Sequence, residues 1–181
     1  MRDRPRRRKT LGMPERTYSW PSLDAFGGAK GDLHGVEYYQ AMMRGELPLQ
    51  PVTQTIGWRV AHAELGLVRM ALTPQEFHLH GGGVVHGGIL ATLLDSAMAA
   101  AIMTQLPKGQ RLTTVQLGMN IIRRVKTGEG DIVAEGRLHH LGRRTATASA
   151  SLRAADGQLV AEGTTTCVVL SGRLESAADE G

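Results

Sequence analysis

Cysteine is nearly absent from this 181-residue chain, with Cys167 its single representative. One thiol cannot close an intrachain disulfide. Its place in the alternating run TTTCVVL marks a reduced core residue, so a cytoplasmic protein without disulfides is expected. Aromatics are scarce as well, at 4% of residues, too few to interleave with cations as a nucleic-acid grip. No apolar run reaches the ~18 residues that a membrane-spanning helix requires, and the N-terminus carries no apolar stretch of a secretion signal. Charge is nearly balanced outside one segment. MRDRPRRRK holds six Lys and Arg against one Asp, and the formal net charge of +4 depends on it. Residues 1–30 read as a basic, flexible N-terminal arm whose cations are solvated rather than bound to phosphate.

What is present is apolar material, 41% of residues, enough for the core of one domain. Residues 31–51 hold a short amphipathic helix, with Val36, Tyr39, Met42 and Met43 near helical spacing, and then the connector ELPLQP, which its prolines predict to be extended. From residue 54 the period changes to two. TIGWRVAHAE and GLVRMALT predict two strands, with Ile56, Trp58 and Val60 on one face and a turn near Glu64–Gly66. After a long helix come strands over 112–122 and 131–139, turns at Gly128–Gly130 and Leu141–Arg144, and a strand with Ala146, Ala148, Ala150 and Leu152 on its buried side. Asp156–Gly157 signals a hairpin into a last strand over 158–170. Residues 171–181 read as a polar, frayed tail. Two strands, one helix and a four-strand meander give an α+β domain over 52–170, an antiparallel sheet wrapped around one long central helix.

The informative stretch is HLHGGGVVHGGILATLLDSAMAAAIM, residues 78–103. Leu90, Leu93, Leu94, Ala97 and Ala101 recur at helical steps. The glycines before them let backbone N–H groups approach a ligand at a helix N-terminus, where negative charge is favoured. Asp95 lies on the same helix, and a carboxylate facing the core costs free energy unless it is paired or used. Gly87 and Asp95 are eight residues apart, ~12 Å along a helix. One reacting carbonyl cannot touch both within one chain. If both serve one reaction, they come from two chains at a dimer interface.

The run His86-Gly87-Gly88, with Asp95 nine residues after the histidine, resembles the PaaI-type hotdog-fold acyl-CoA thioesterases. TVQLGMNIIRRVKTG, the LGRR turn and the close ADGQLVAEGTTT match the same family, and the likeness spans roughly residues 52–170. The short helix and ELPLQP resemble an extension seen in some members. The resemblance implies a hotdog fold and hydrolysis of acyl-CoA to free acid and CoA, with coenzyme A as part of the substrate and no other cofactor. It implies Gly87 N–H as the donor that polarises the thioester carbonyl, and Asp95 of the opposite subunit as base or nucleophile. Thr114 matches the Ser/Thr that places the attacking water. His86, Gly88, Arg143 and Arg144 are implied on the substrate-binding side, the arginines toward coenzyme A's phosphates. Members form dimers that often pair into tetramers. One departure is His80, six residues before His86, where many relatives carry asparagine.

Other readings stand beside these. Asp95 can be a structural acid held by Thr92 or Ser96. His86 can hold its turn rather than act as a base, and Arg143 and Arg144 can be solvated. His78 and His80 make an H-x-H pair, too few ligands for a closed zinc site, so no metal is expected. Gly81–Gly83 lack the lysine of a phosphate loop, and His86 stands where a dinucleotide fingerprint needs glycine. No Ser-His-Asp or Cys-His arrangement is visible. The alternative function is a non-catalytic acyl-CoA-binding or regulatory hotdog protein, with His80 marking lost catalysis. A hydratase is less favoured, for want of a second acid–base residue on the helix. No nucleic acid and no membrane are expected as partners.

Overall fold

The computed structural model describes residues 12–22 and 33–171. The arm over residues 1–11 and 23–30 and the tail over 172–181 lie outside the described residues.

Two short helices, α1 (Val36–Met43) and α2 (Pro51–Ile56), precede the strands β1 (Arg59–Glu64) and β2 (Leu67–Leu72). After a single 3-10 turn at Glu76–His78 comes the long helix α3 (Gly87–Met103). The strands β3 (Gln110–Ile121), β4 (Ile132–Leu141), β5 (Thr145–Arg153) and β6 (Leu159–Ser171) complete the domain. All pair antiparallel in one six-stranded sheet, ordered β1-β2-β4-β5-β6-β3. This is the hotdog arrangement, with α3 lying against β4, β2 and β5.

Helix α3 is apolar almost all round, which suits an element enclosed by other structure. Leu90, Leu93, Leu94, Met98 and Ile102 are sealed within the core, each worth roughly 1.5–3 kcal/mol on burial. Small residues bring the helix down onto the sheet. A Cβ at Gly136 of β4 would lie 2.2 Å from the Ala97 carbonyl oxygen, so only glycine permits this approach. The alternation in β5 matches its sequence: Ala146, Ala148, Ala150 and Leu152 face the helix.

Two expectations require correction. Residues 51–56 are helical, so Ile56 belongs to α2 and the strand starts at Arg59. Pro51 takes the first helical position, where its missing N–H costs nothing, and Gly57 ends the helix at φ 86°, in the left-handed region. The expected four-strand meander is also interrupted. Only β4, β5 and β6 follow in order. β3 lies beyond β6 at the sheet edge, because the segment after it crosses back beside the site loop, where Val125 is buried.

β3 carries a bulge. Thr114 pairs with Cys167 and Gln116 with Thr166, leaving Val115 as an extra residue. The bulge reverses the alternation of the strand. Thr114 lies on the helix side of the sheet before it, and Leu117, Met119 and Ile121, opposite Thr165, Gly163 and Ala161, lie on that side afterwards, Leu117 and Ile121 staying exposed at the open edge.

Candidate active site

The loop before α3 is a small closed hairpin. Leu79 bridges Val85, His80 N–H donates to the Val84 carbonyl at 3.0 Å, and His86 N–H to the His78 carbonyl at 2.9 Å. Val85 N–H donates to Val125 at 2.9 Å, fixing the loop to the crossing segment. The glycine tip at 81–83 is exposed.

Two histidines in this loop behave alike. His80 Nδ1 accepts from Gly82 N–H, and His86 Nδ1 accepts from Gly88 N–H, each at 2.9 Å. Both rings are thereby set with the proton on Nε2, clear of these contacts. Their centroids are 6.3 Å apart, edge to face. His86 is the N-cap of α3, so it does hold its turn. Its ring takes Gly88 N–H. That leaves Gly87 N–H as the leading donor of the helix, with no acceptor among the described residues. Ile121, turned inward by the bulge, lies over it: a Cβ at Gly87 would be 3.1 Å from Ile121 Cδ1.

His78 belongs to the framework. It is 3% exposed, its Nδ1 accepts from Gln75 N–H at 3.0 Å, and its Nε2–H donates to the Ile56 carbonyl at 2.7 Å. Burial is the main force lowering its pKa. The Ile56 carbonyl opposes that shift, and the Arg16 charge adds to it. Both ring nitrogens are occupied, so His78 has none to offer a metal alongside His80. Among the described residues no three His, Cys, Asp or Glu side chains gather as a metal site.

A second cluster lies further along α3. Asp95 is half-buried, and its Oδ1 accepts from the Thr114 hydroxyl at 3.0 Å. Thr114 Oγ1 is 3.8 Å from the buried Cys167 Sγ. Thr92 donates to the Gly88 carbonyl instead, so it does not hold the acid. Arg143 and Arg144 form a third group. They are exposed in the β4–β5 turn, and their guanidinium groups have no partner among the described residues. The Arg144 carbonyl accepts from Val169 N–H, and Val169 pairs with Leu112. The turn therefore stands two strands, about 10 Å, from the row of Thr114.

Within one chain the structure joins Asp95 to Thr114, and His80, His86, Gly87 and Gly88 into one loop, but it keeps the two clusters apart on the helix. The sequence reading missed three contributors: the Val115 bulge, Ile121 over Gly87, and His78 as an anchor. Only the third carried a signal, a histidine directly after an aromatic in the stretch leading to the glycine run, and that pattern is common.

A family model described as the thioesterase superfamily matches residues 82–161. The chain is 31% identical over 102 residues to a Halobacterium salinarum protein assigned as an esterase, covering 54% of this chain and 66% of that one. It is 33% identical over 87 residues to a Pseudomonas aeruginosa protein assigned likewise, covering 48% and 64%. It thus spans just under two thirds of the length of these curated relatives. Among solved structures it resembles a point mutant of the phenylacetic acid degradation protein PaaI from Thermus thermophilus, at 31% identity and TM-score 0.59, over 66% of this chain and 98% of that one. A thioesterase family protein from Silicibacter pomeroyi matches at 26% and 0.66, over 74% and 99%. The Escherichia coli PaaI protein matches at 19% and 0.66, over 74% and 94%, a likeness of fold alone.

Proposed function

We propose, since this chain belongs to the thioesterase superfamily, that it hydrolyses acyl-CoA thioesters to free acid and coenzyme A. The observation that carries the reading is the division of labour along α3. His86 caps Gly88 and leaves Gly87 N–H, at the positive end of the helix, without an acceptor among the described residues, while Thr114 holds the Asp95 carboxylate further along. A thioester carbonyl polarised by Gly87 N–H is open to attack, and a single such donor is worth ~3–4 kcal/mol in the transition state. Asp95 either takes the proton of an attacking water or attacks as the nucleophile. The C–S bond then breaks, the thiolate of coenzyme A leaves and takes up a proton, and on the nucleophilic route water then hydrolyses the acyl–Asp95 anhydride to release the free acid and restore the carboxylate. His80 Nε2–H, directed away from its own turn, supplies the donor that asparagine offers in many relatives.

The ~12 Å between the two groups along one helix requires the acid from a second copy. The β3 edge suits that copy. It is long and, among the described residues, unpaired on one side, and it exposes Val115, Leu117 and Ile121. Covering such an edge removes a liability. Arg143 and Arg144 carry the fork geometry that binds phosphate, at the mouth rather than the reacting centre. Expression in the cytoplasm, where acyl-CoA is found, completes the proposal.

The test is thiol release from a panel of short, long and aromatic acyl-CoA substrates. Turnover is expected for wild type, and Asp95→Asn should lower kcat at least ~100-fold. Saturable binding of acyl-CoA without release by the wild type would instead establish the binding-protein reading, in which His80 does not replace the asparagine of relatives. Neither binding nor release would end both.

A further inference from the structure

Arg16 lies in the segment before α1, and nothing in the proposed chemistry uses it. Its guanidinium donates to the carbonyls of Thr55 at 2.5 Å and Gln54 at 2.9 Å. It also sits over the rings of Phe77 at 3.9 Å and Tyr18 at 4.8 Å. The two carbonyls belong to the last turn of α2, where helices leave acceptors unsatisfied. The next carbonyl, that of Ile56, accepts from His78. Arg16 and His78 together thus engage three consecutive carbonyls at the end of one short helix. His78 in turn receives His86 N–H at its own carbonyl, and His86 caps α3. A line of hydrogen bonds runs from Arg16 through α2 and His78 to the residue before Gly87.

We infer that Arg16 is a positioning residue. By clasping the end of α2 to the turn that carries His78, it fixes where His86, and with it Gly87 N–H, points. The kinetic consequence rests on the thioesterase reading, whereas the mechanical link does not.

Charge gives the clasp a second effect. His78 must be neutral, because protonation places a hydrogen on Nδ1 facing Gln75 N–H. Arg16, across the contact, disfavours that proton. Glu76 in the same turn is exposed, His86 meets His78 through its backbone, and α2 brings no titratable side chain. The anchor is intact above the lowered pKa of His78 and is lost as pH falls through it. Removing Arg16 lets that pKa rise, so the loss begins at higher pH.

Full-length wild type, Arg16→Ala and Arg16→Lys should be compared by amide hydrogen exchange and by thiol release. Arg16→Ala is expected to speed exchange over residues 76–90 while leaving β4–β6 unchanged. It should lower kcat about 10-fold with KM within twofold, as misplacement of a reacting group does. Its acid limb should also move to higher pH. Arg16→Lys keeps the charge but not the fork, so it should restore the pH limb and not the exchange. Unchanged exchange over 76–90 in Arg16→Ala, or a loss expressed in KM alone, overturns the inference. A wild type that releases no thiol defeats the thioesterase reading, and the exchange comparison still decides this one.

Discussion

Gly87 can be stripped of one hydrogen with little other change. It is the first residue of α3, where proline is well tolerated. His86 before it has φ −63° and ψ 136°, the extended conformation a following proline demands. The added ring would press on the Ile121 methyl, the far end of a flexible side chain. Gly87→Pro is therefore expected to fold, by far-UV circular dichroism, and to lose ~100–1,000-fold in kcat if the amide holds the oxyanion. Retention of the full rate would assign the donor elsewhere. At this scale the sequence announced the glycine and the acid, because each is chemically out of place: a glycine pair opening a helix, and a carboxylate among leucines and alanines. It could not announce that Thr114 rather than Thr92 holds Asp95, since that depends on which strand comes to rest beside the helix. Nor could it separate His78 from His80. Two residues apart in the same tripeptide, one is sealed with both nitrogens engaged and the other is exposed.

Helix α3 rests on β4 through a point with no side chain. Gly136→Ala would drive a methyl into the Ala97 carbonyl, and backbone on both sides leaves nothing flexible to yield. A loss of at least ~1–3 kcal/mol is expected from such overpacking, read as a lowered midpoint in thermal unfolding. Gly128→Ala provides a comparison, since a Cβ there meets nothing within 4 Å but the residue sits at φ 80°, so its cost should come from backbone strain alone. Elements with an undiluted period were legible: α3 by its apolar face, β5 by alanines alternating with Ser and Thr. Residues 51–56 were not. Proline argued for extended chain on propensity, while its role as a helix opener needed Gly57 to be seen as the stop. The placement of β3 beyond β6 was also hidden, because pairing partners are set by how the chain returns across the sheet and leave no trace in local pattern.

For the molecule as a whole, the proposed site is complete only when two copies meet. Leu117→Lys on the β3 edge places a charge on the surface offered to the second copy while leaving Gly87, Asp95 and Thr114 in place. The variant is expected to sediment as a monomer and to lose turnover in parallel. Activity that persists in a monomer would remove the two-chain site. The Val115 bulge bears on the same assembly in a further way. Loops usually absorb gains and losses of length, but β3 is counted out to the residue. One fewer position between 114 and 121 would send either the acid's hydroxyl partner or the isoleucine above Gly87 to the outer face, so the spacing of that segment is as fixed a part of the chemistry as any side chain within it.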